Sequence, residues 1–127
     1  MTDLNTPSPI RVAFVGTGGI AHAHAEALRE QPGVELTVAV DVDPSRAEGF
    51  ASKFGITRTA TSLPEAVVGG GLDLVAICTP PSSHYPLALE ALSLGLHAVI
   101  EKPPALSLSQ MRDLETAEAA SAGTLSC

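Results

Sequence analysis

The chain has 127 residues, a formal net charge of −7, 45% hydrophobic residues, three Phe, one Tyr and no Trp. That length allows one domain, and an acidic chain with no basic run argues against nucleic acid or an anionic membrane as a partner. Two cysteines, one inside an apolar run (Cys78) and one at position 127, make neither a disulfide framework nor a zinc spacing, and no apolar run approaches the ~18 residues of a membrane span.

Residues 1 to 9 (MTDLNTPSP) are polar and lack the apolar stretch of a secretory signal. They read as a loose tail, and the cysteine usage fits a reducing, cytoplasmic setting. Ile10 to Val15 is a first strand, interrupted only by Arg11. The turn Gly16-Thr17-Gly18-Gly19-Ile20-Ala21 follows. A helix then runs from Ile20 to Gln31, with Ile20, Ala23, Ala27 and Leu28 near one face, and Pro32-Gly33 ends it. Val34 to Val40 is a second strand that delivers Asp41. Asp43 caps the next helix and Pro44 takes its first position. Phe54 and Gly55 mark its end.

Ile56 to Ala60 is a weak third strand. Ser62 and Glu65 form a capping box for a short helix to Val68, and Gly69-Gly70-Gly71 breaks the chain. Leu72 to Cys78 is a fourth strand, followed by a helix from Ser83 to Leu94 that Gly95 closes. His97 to Ile100 is a fifth strand. Ser107 caps a last helix over Leu108 to Ser121, Gly123 ends it, and Thr124 to Cys127 starts a sixth strand that the chain does not finish. Strands alternate with helices throughout, and strands one and four are apolar along most of their length. Both sheet faces should therefore be covered, as in an α/β doubly wound parallel sheet of Rossmann type over residues 10 to 127.

The glycine turn matches G-x-G-x-x-G/A. Gly16 allows the tight turn, Gly18 lets a pyrophosphate approach the backbone, and Ala21 is small enough for close helix–strand packing. Thr17, Gly19 and Ile20 complete a turn whose amides face the phosphates. Asp41 follows Ala21 by twenty residues, where a carboxylate accepts hydrogen bonds from an adenosine ribose. A carboxylate there repels a 2′-phosphate, which favours NAD over NADP. Arg46 lies a turn into the next helix, within reach of such a phosphate, and reads chiefly as a solvated residue. A coenzyme A-binding domain shares the glycine turn and a Pro-Pro segment after strand four but does not need Asp41. A methyltransferase shares the glycine loop and the ribose acid. His22 and His24 stand two apart on a helix and face different directions, so they form no metal site. His97 reads as a packed or edge histidine.

The segments GTGGIA, VDVDPSRA, CTPPSSHYPLALEAL and HAVIEKPPAL, in that order, resemble the glucose–fructose oxidoreductase and inositol dehydrogenase (Gfo/Idh/MocA) family. The resemblance runs from Ile10 to the last residue. It implies a hydride transfer between NAD and a sugar- or cyclitol-like hydroxyl substrate. Thr79, Pro80 and His84 would flank the cofactor after strand four. Glu101 and Lys102 would be the EKP pair, with Lys102 reaching the nicotinamide ribose and the substrate as the catalytic cation. The bond before Pro103 is a candidate for cis geometry. Family members continue into a second α/β domain that holds the substrate and supplies an acid/base His. The expectation is therefore that this chain carries only the cofactor half of such an enzyme, as a fragment, a truncated gene product or one part of a split enzyme, with a substrate-domain partner or a second copy to complete it. A non-catalytic NAD sensor is the competing reading, and neither coenzyme A-binding domains nor methyltransferases account for EKP.

Overall fold

A computed structural model describes residues 7–127. Of the tail expected over residues 1 to 9, residues 1–6 lie outside the described residues, and residues 7–9 are exposed and in no regular element. Six strands and five α-helices follow in alternation: β1 (Ile10–Val15), α1 (Gly19–Arg29), β2 (Val34–Val40), α2 (Pro44–Phe54), β3 (Arg58–Ala60), α3 (Leu63–Val67), β4 (Leu74–Ile77), α4 (His84–Ser93), β5 (His97–Ile100), α5 (Leu108–Ala119) and β6 (Leu125–Ser126). All strands pair in parallel, in the order β3-β2-β1-β4-β5-β6. The order reverses between β1 and β4, and a crevice opens there beyond the carboxyl ends of both strands.

Alternation along the strands splits the core into two layers. Ala13, Val15, Val38, Val40, Val75 and Ile77 face α3, α4 and α5, where Leu63, Ala66, Ala88, Ala91 and Leu114 meet them. Val12, Phe14, Ala39 and Ala76 face α1 and α2, where Ala21, Ala25, Phe50 and Phe54 meet them. Full burial of each larger side chain contributes roughly 1.5–3 kcal/mol. Phe14, Phe50 and Phe54 stack with tilted rings 4.7 to 5.4 Å apart, and His22 packs its edge on Phe50 and Phe54.

The face of α1 differs from the expected one. Ile20, Ala23 and Ala27 are exposed, and the buried stripe is Ala21, Ala25 and, in part, Leu28. Two alanines one turn apart let the helix lie close on the sheet, which a stripe containing Ile20 would prevent. Several elements are also shorter than expected. β3 begins at Arg58 and β4 at Leu74, because only those residues find parallel partners on β2 and β1. Residues Pro81–Ser83 form a single 3-10 turn ahead of α4.

Capping follows the sequence closely. The Asp43 side chain accepts from the Ser45 amide, and Gly55 closes α2 in the left-handed conformation. Ser62 accepts from the Glu65 amide, while Glu65 reaches back to the amide and hydroxyl of Thr61. Ser107 and Gln110 repeat the pattern at α5, with Gln110 accepting from the Leu106 amide. Coverage of the sheet is incomplete at one place. Val99 pairs with Ala76 and so faces the α1 side, yet it is 41% exposed, because α1 and α2 lie over β1 and β2 and leave β5 bare there.

Candidate functional site

Three strand ends meet at the glycine turn. The Gly16 amide donates to the Val40 carbonyl and the Cys78 amide to the Val15 carbonyl, each at 2.8 Å. Gly16 has φ +88°, and a Cβ there would lie 2.8 Å from the Cys78 carbonyl carbon. The chain after β4 passes so close that only glycine fits, on both counts. Gly18, by contrast, faces open space: a Cβ on it would meet no atom within 4 Å. It is also the N-cap of α1, with no capping side chain and no acidic residue in the first turn. The first amides of α1 are thus donors without a side-chain acceptor, backed by the positive end of a helix, a ready site for an anionic oxygen.

Asp41 stands across the turn from these amides. Its Oδ2 accepts from the Thr17 amide at 3.1 Å and from the Thr17 hydroxyl at 2.8 Å, and its Oδ1 accepts from the Asp43 amide at 2.9 Å. Partial burial pushes this carboxyl upward. The bonds from Asp43 and Thr17, with the charge of Arg46, outweigh that, and its pKa falls below the ordinary value. The group is therefore a fixed anion with lone pairs left for a hydroxyl donor. Thr17 is nearly buried and serves Asp41 directly, a tie that the turn motif alone does not announce. Arg46 is 70% exposed and lies 3.9 Å from Asp43.

A cavity of about 720 Å³ opens between these groups, with Gly16, Gly18, Asp41, Arg46, Thr79 and Pro80 among its walls. Thr17 lines it as well. On α4, Glu90 contributes a buried carboxylate oxygen that has no hydrogen-bond partner among the described residues. A second cleft of about 400 Å³ lies on the α1 side of the sheet, bordered by His24 and Glu101, and Cys78 is common to both. Burial, with the Glu101 charge adding to it, pushes the Cys78 thiol up to about 12, so it is not a nucleophile at neutral pH.

Gly19, Ile20, Ala21, His84 and Lys102 line neither space. Gly19 and Ile20 form the exposed start of α1, and Ala21 lies wholly buried beneath it. His84 is 1% exposed, set behind the turn after β4, with Nδ1 2.7 Å from the Pro103 carbonyl and Nε2 2.7 Å from the Thr79 carbonyl. Either tautomer donates to one of the two, so the ring ties the β4 turn to the segment after β5 rather than facing the cavity. The Lys102–Pro103 bond is cis. Lys102 is exposed, and among the described residues its side chain has neither a hydrogen bond nor an ion pair. Glu101 pairs instead with His24, Nε2 to Oε1 at 2.5 Å, a contact across 77 positions that no local spacing reveals. Among the described residues no cluster of His, Cys, Asp or Glu is placed to hold a metal ion.

A parallel sheet in this order, with a bare glycine turn and a fixed carboxylate facing it across a cavity, defines an NAD-binding Rossmann domain. The model of the oxidoreductase family with an NAD-binding Rossmann fold, GFO_IDH_MocA, matches residues 10–127, and the chain belongs to that family. It is 33% identical over 115 residues to the D-glucoside 3-dehydrogenase of Escherichia coli, a match covering 90% of this chain and 33% of that protein. It is 33% identical over 104 residues to the scyllo-inositol 2-dehydrogenase (NAD(+)) of Bacillus subtilis, covering 81% of this chain and 30% of that protein. The WlbA dehydrogenase of Chromobacterium violaceum, solved with NADH and UDP-GlcNAcA, superposes with a TM-score of 0.88 at 29% identity, covering 94% of this chain and 35% of that one. The chain spans about a third of the length of the curated relatives it matches.

Proposed function

We propose that this domain holds NAD along the carboxyl edge of its sheet for a dehydrogenase acting on a hydroxyl of a sugar or cyclitol. The observation that carries the reading is the juxtaposition of Gly16, Gly18 and Asp41 around one cavity, with Glu101 at the far side of the turn. The residues present fit the cofactor. The space at Gly18 admits a phosphate group, the α1 amides supply donors for it, and Asp41 has accepting capacity left for ribose hydroxyls. When bound, NAD supplies a hydride acceptor at its nicotinamide ring.

In this reading Thr17 holds Asp41 rigid, Thr79 and Pro80 wall the crevice after β4, and Thr17, Gly19, Ile20 and Ala21 shape the phosphate turn. Lys102 offers the one cation of the EKP segment. It stabilises the developing alkoxide of the substrate and relays its proton. Arg46 stays at the rim, and His84 anchors the wall from behind. The names of the relatives support a sugar or cyclitol as substrate. The grip on that substrate comes from a substrate domain or from a second copy of the chain, working in a reducing cytoplasm.

Lys102→Ala tests the assignment in the assembled enzyme with a panel of sugars and cyclitols. Turnover is expected to fall by roughly 10²-fold or more, while NAD still binds, weakened by about the fivefold that one exposed polar contact is worth. Unchanged turnover would remove Lys102 from the chemistry. Absence of turnover both before and after the substitution would favour a sensor of NAD.

A further inference from the structure

Glu101 and Lys102 are adjacent at the carboxyl end of β5, and their opposite charges suggest that each neutralises the other. The structure arranges them differently. The Glu101 amide donates to the Ile77 carbonyl at 3.0 Å, which fixes the start of the segment on β4. Its carboxylate then turns to α1 and meets His24 Nε2. Lys102 is left without a side-chain partner among the described residues.

His24 lies in the second turn of the helix whose first amides face the phosphate space. The pair therefore joins the phosphate-binding helix to the lysine-bearing segment. It borders the cleft that meets the main cavity at Cys78. A dinucleotide whose adenosine ribose lies at Asp41 and whose phosphates lie at Gly18 runs on toward this side of the turn. His24 is 45% exposed and Glu101 26% exposed at their side chains, so the pair stands at the mouth of the cleft rather than in the core.

We propose that His24 is a positioning residue for the nicotinamide half of the site: by holding Glu101 against α1 it fixes the backbone that presents Lys102 and leaves the ammonium free for ligand. This rests on the NAD reading above. The hydrogen bond from His24 is also the main cause that lowers the Glu101 pKa, ahead of the contribution of Lys102. Glu101 is thus an anion at neutral pH whose lone pairs are engaged by the imidazole.

Calorimetric titration of the purified chain with NAD and with ADP tests this, because ADP carries the adenosine and diphosphate but no nicotinamide riboside. His24→Ala is expected to weaken NAD about fivefold, the size of losing one exposed side-chain hydrogen bond, and to leave ADP unchanged. His24→Gln, which keeps a donor near the Nε2 position, is expected to restore most of the difference. The effect of His24→Ala should vanish in a Glu101→Ala background, which leaves the imidazole no acceptor. In the free chain, carboxyl ¹³C resonances should show Glu101 moving up toward its ordinary pKa in His24→Ala. Equal losses for NAD and ADP would make His24 a plain structural residue of α1 and overturn the proposal, as would additive effects of the two substitutions. A wild-type chain that binds ADP but gains nothing from the nicotinamide half overturns this proposal alone. A folded wild-type chain that binds neither overturns the NAD reading with it.

Discussion

At the scale of single residues, Asp41 is the group best fixed for binding. Its two oxygens accept three bonds from Thr17 and Asp43, which hold the carboxylate in place before any ligand arrives. In the proposed site a fixed negative charge there would favour a free ribose 2′-hydroxyl and repel a phosphate in its place. Asp41→Asn keeps the shape and removes the charge. It is expected to weaken NAD about tenfold and to close much of the gap to NADP, read by titration with both; an unchanged ratio would remove Asp41 from cofactor choice. The same substitution has a signature without ligand. The native carboxyl titrates below its ordinary value of 3.8. Its stabilisation is therefore present at neutral pH and lost as pH falls through and below that value, since protonation costs more in the folded state. Acid unfolding of Asp41→Asn should accordingly show a shallower loss of stability below pH 4 than the wild type does.

At the scale of elements, local chemistry decides where helices begin and end. Asp43 caps α2 ahead of Pro44, which needs no amide bond at the first helical position. Asp43→Ala should cost about 1 kcal/mol and lower the melting temperature, with the helix retained in the far-ultraviolet spectrum. A stability equal to wild type would show that the cap is idle. Features of this kind were legible in the sequence because they depend on neighbours three or four positions apart. So were the alternation of strands and helices, the parallel doubly wound sheet, and the placement of Asp41 at the end of the second strand. Beyond Ala21, which the motif assigned to helix–strand packing, the buried face of α1 was not legible, since Ala23 and Ala27 are as apolar as Ala25 and only the sheet distinguishes them. The trimmed starts of β3 and β4 depend on partners in other strands. For the site, the motif indicated Gly16, Gly18 and Asp41. The bonds Thr17–Asp41 and His24–Glu101, and the burial of His84 behind the turn, are products of tertiary folding that no spacing encodes.

At the scale of the whole molecule, the sheet has one bare stretch. Val99 and Ile10 expose apolar surface on the α1 side, beside the cleft that Leu74 and Val34 also line. Exposed apolar area of this sort favours association. Sedimentation velocity on the chain by itself should show concentration-dependent self-association, and Val99→Ser should weaken it; a stable monomer at all concentrations would show that this face is tolerated in water. The proposed site for NAD lies along the carboxyl edge of this sheet. Calorimetric titration of the folded chain with NAD, beside NADP and coenzyme A, tests it. Saturable binding that is tightest for NAD is expected. Failure of the folded chain to bind NAD, or tighter binding of coenzyme A, would contradict it.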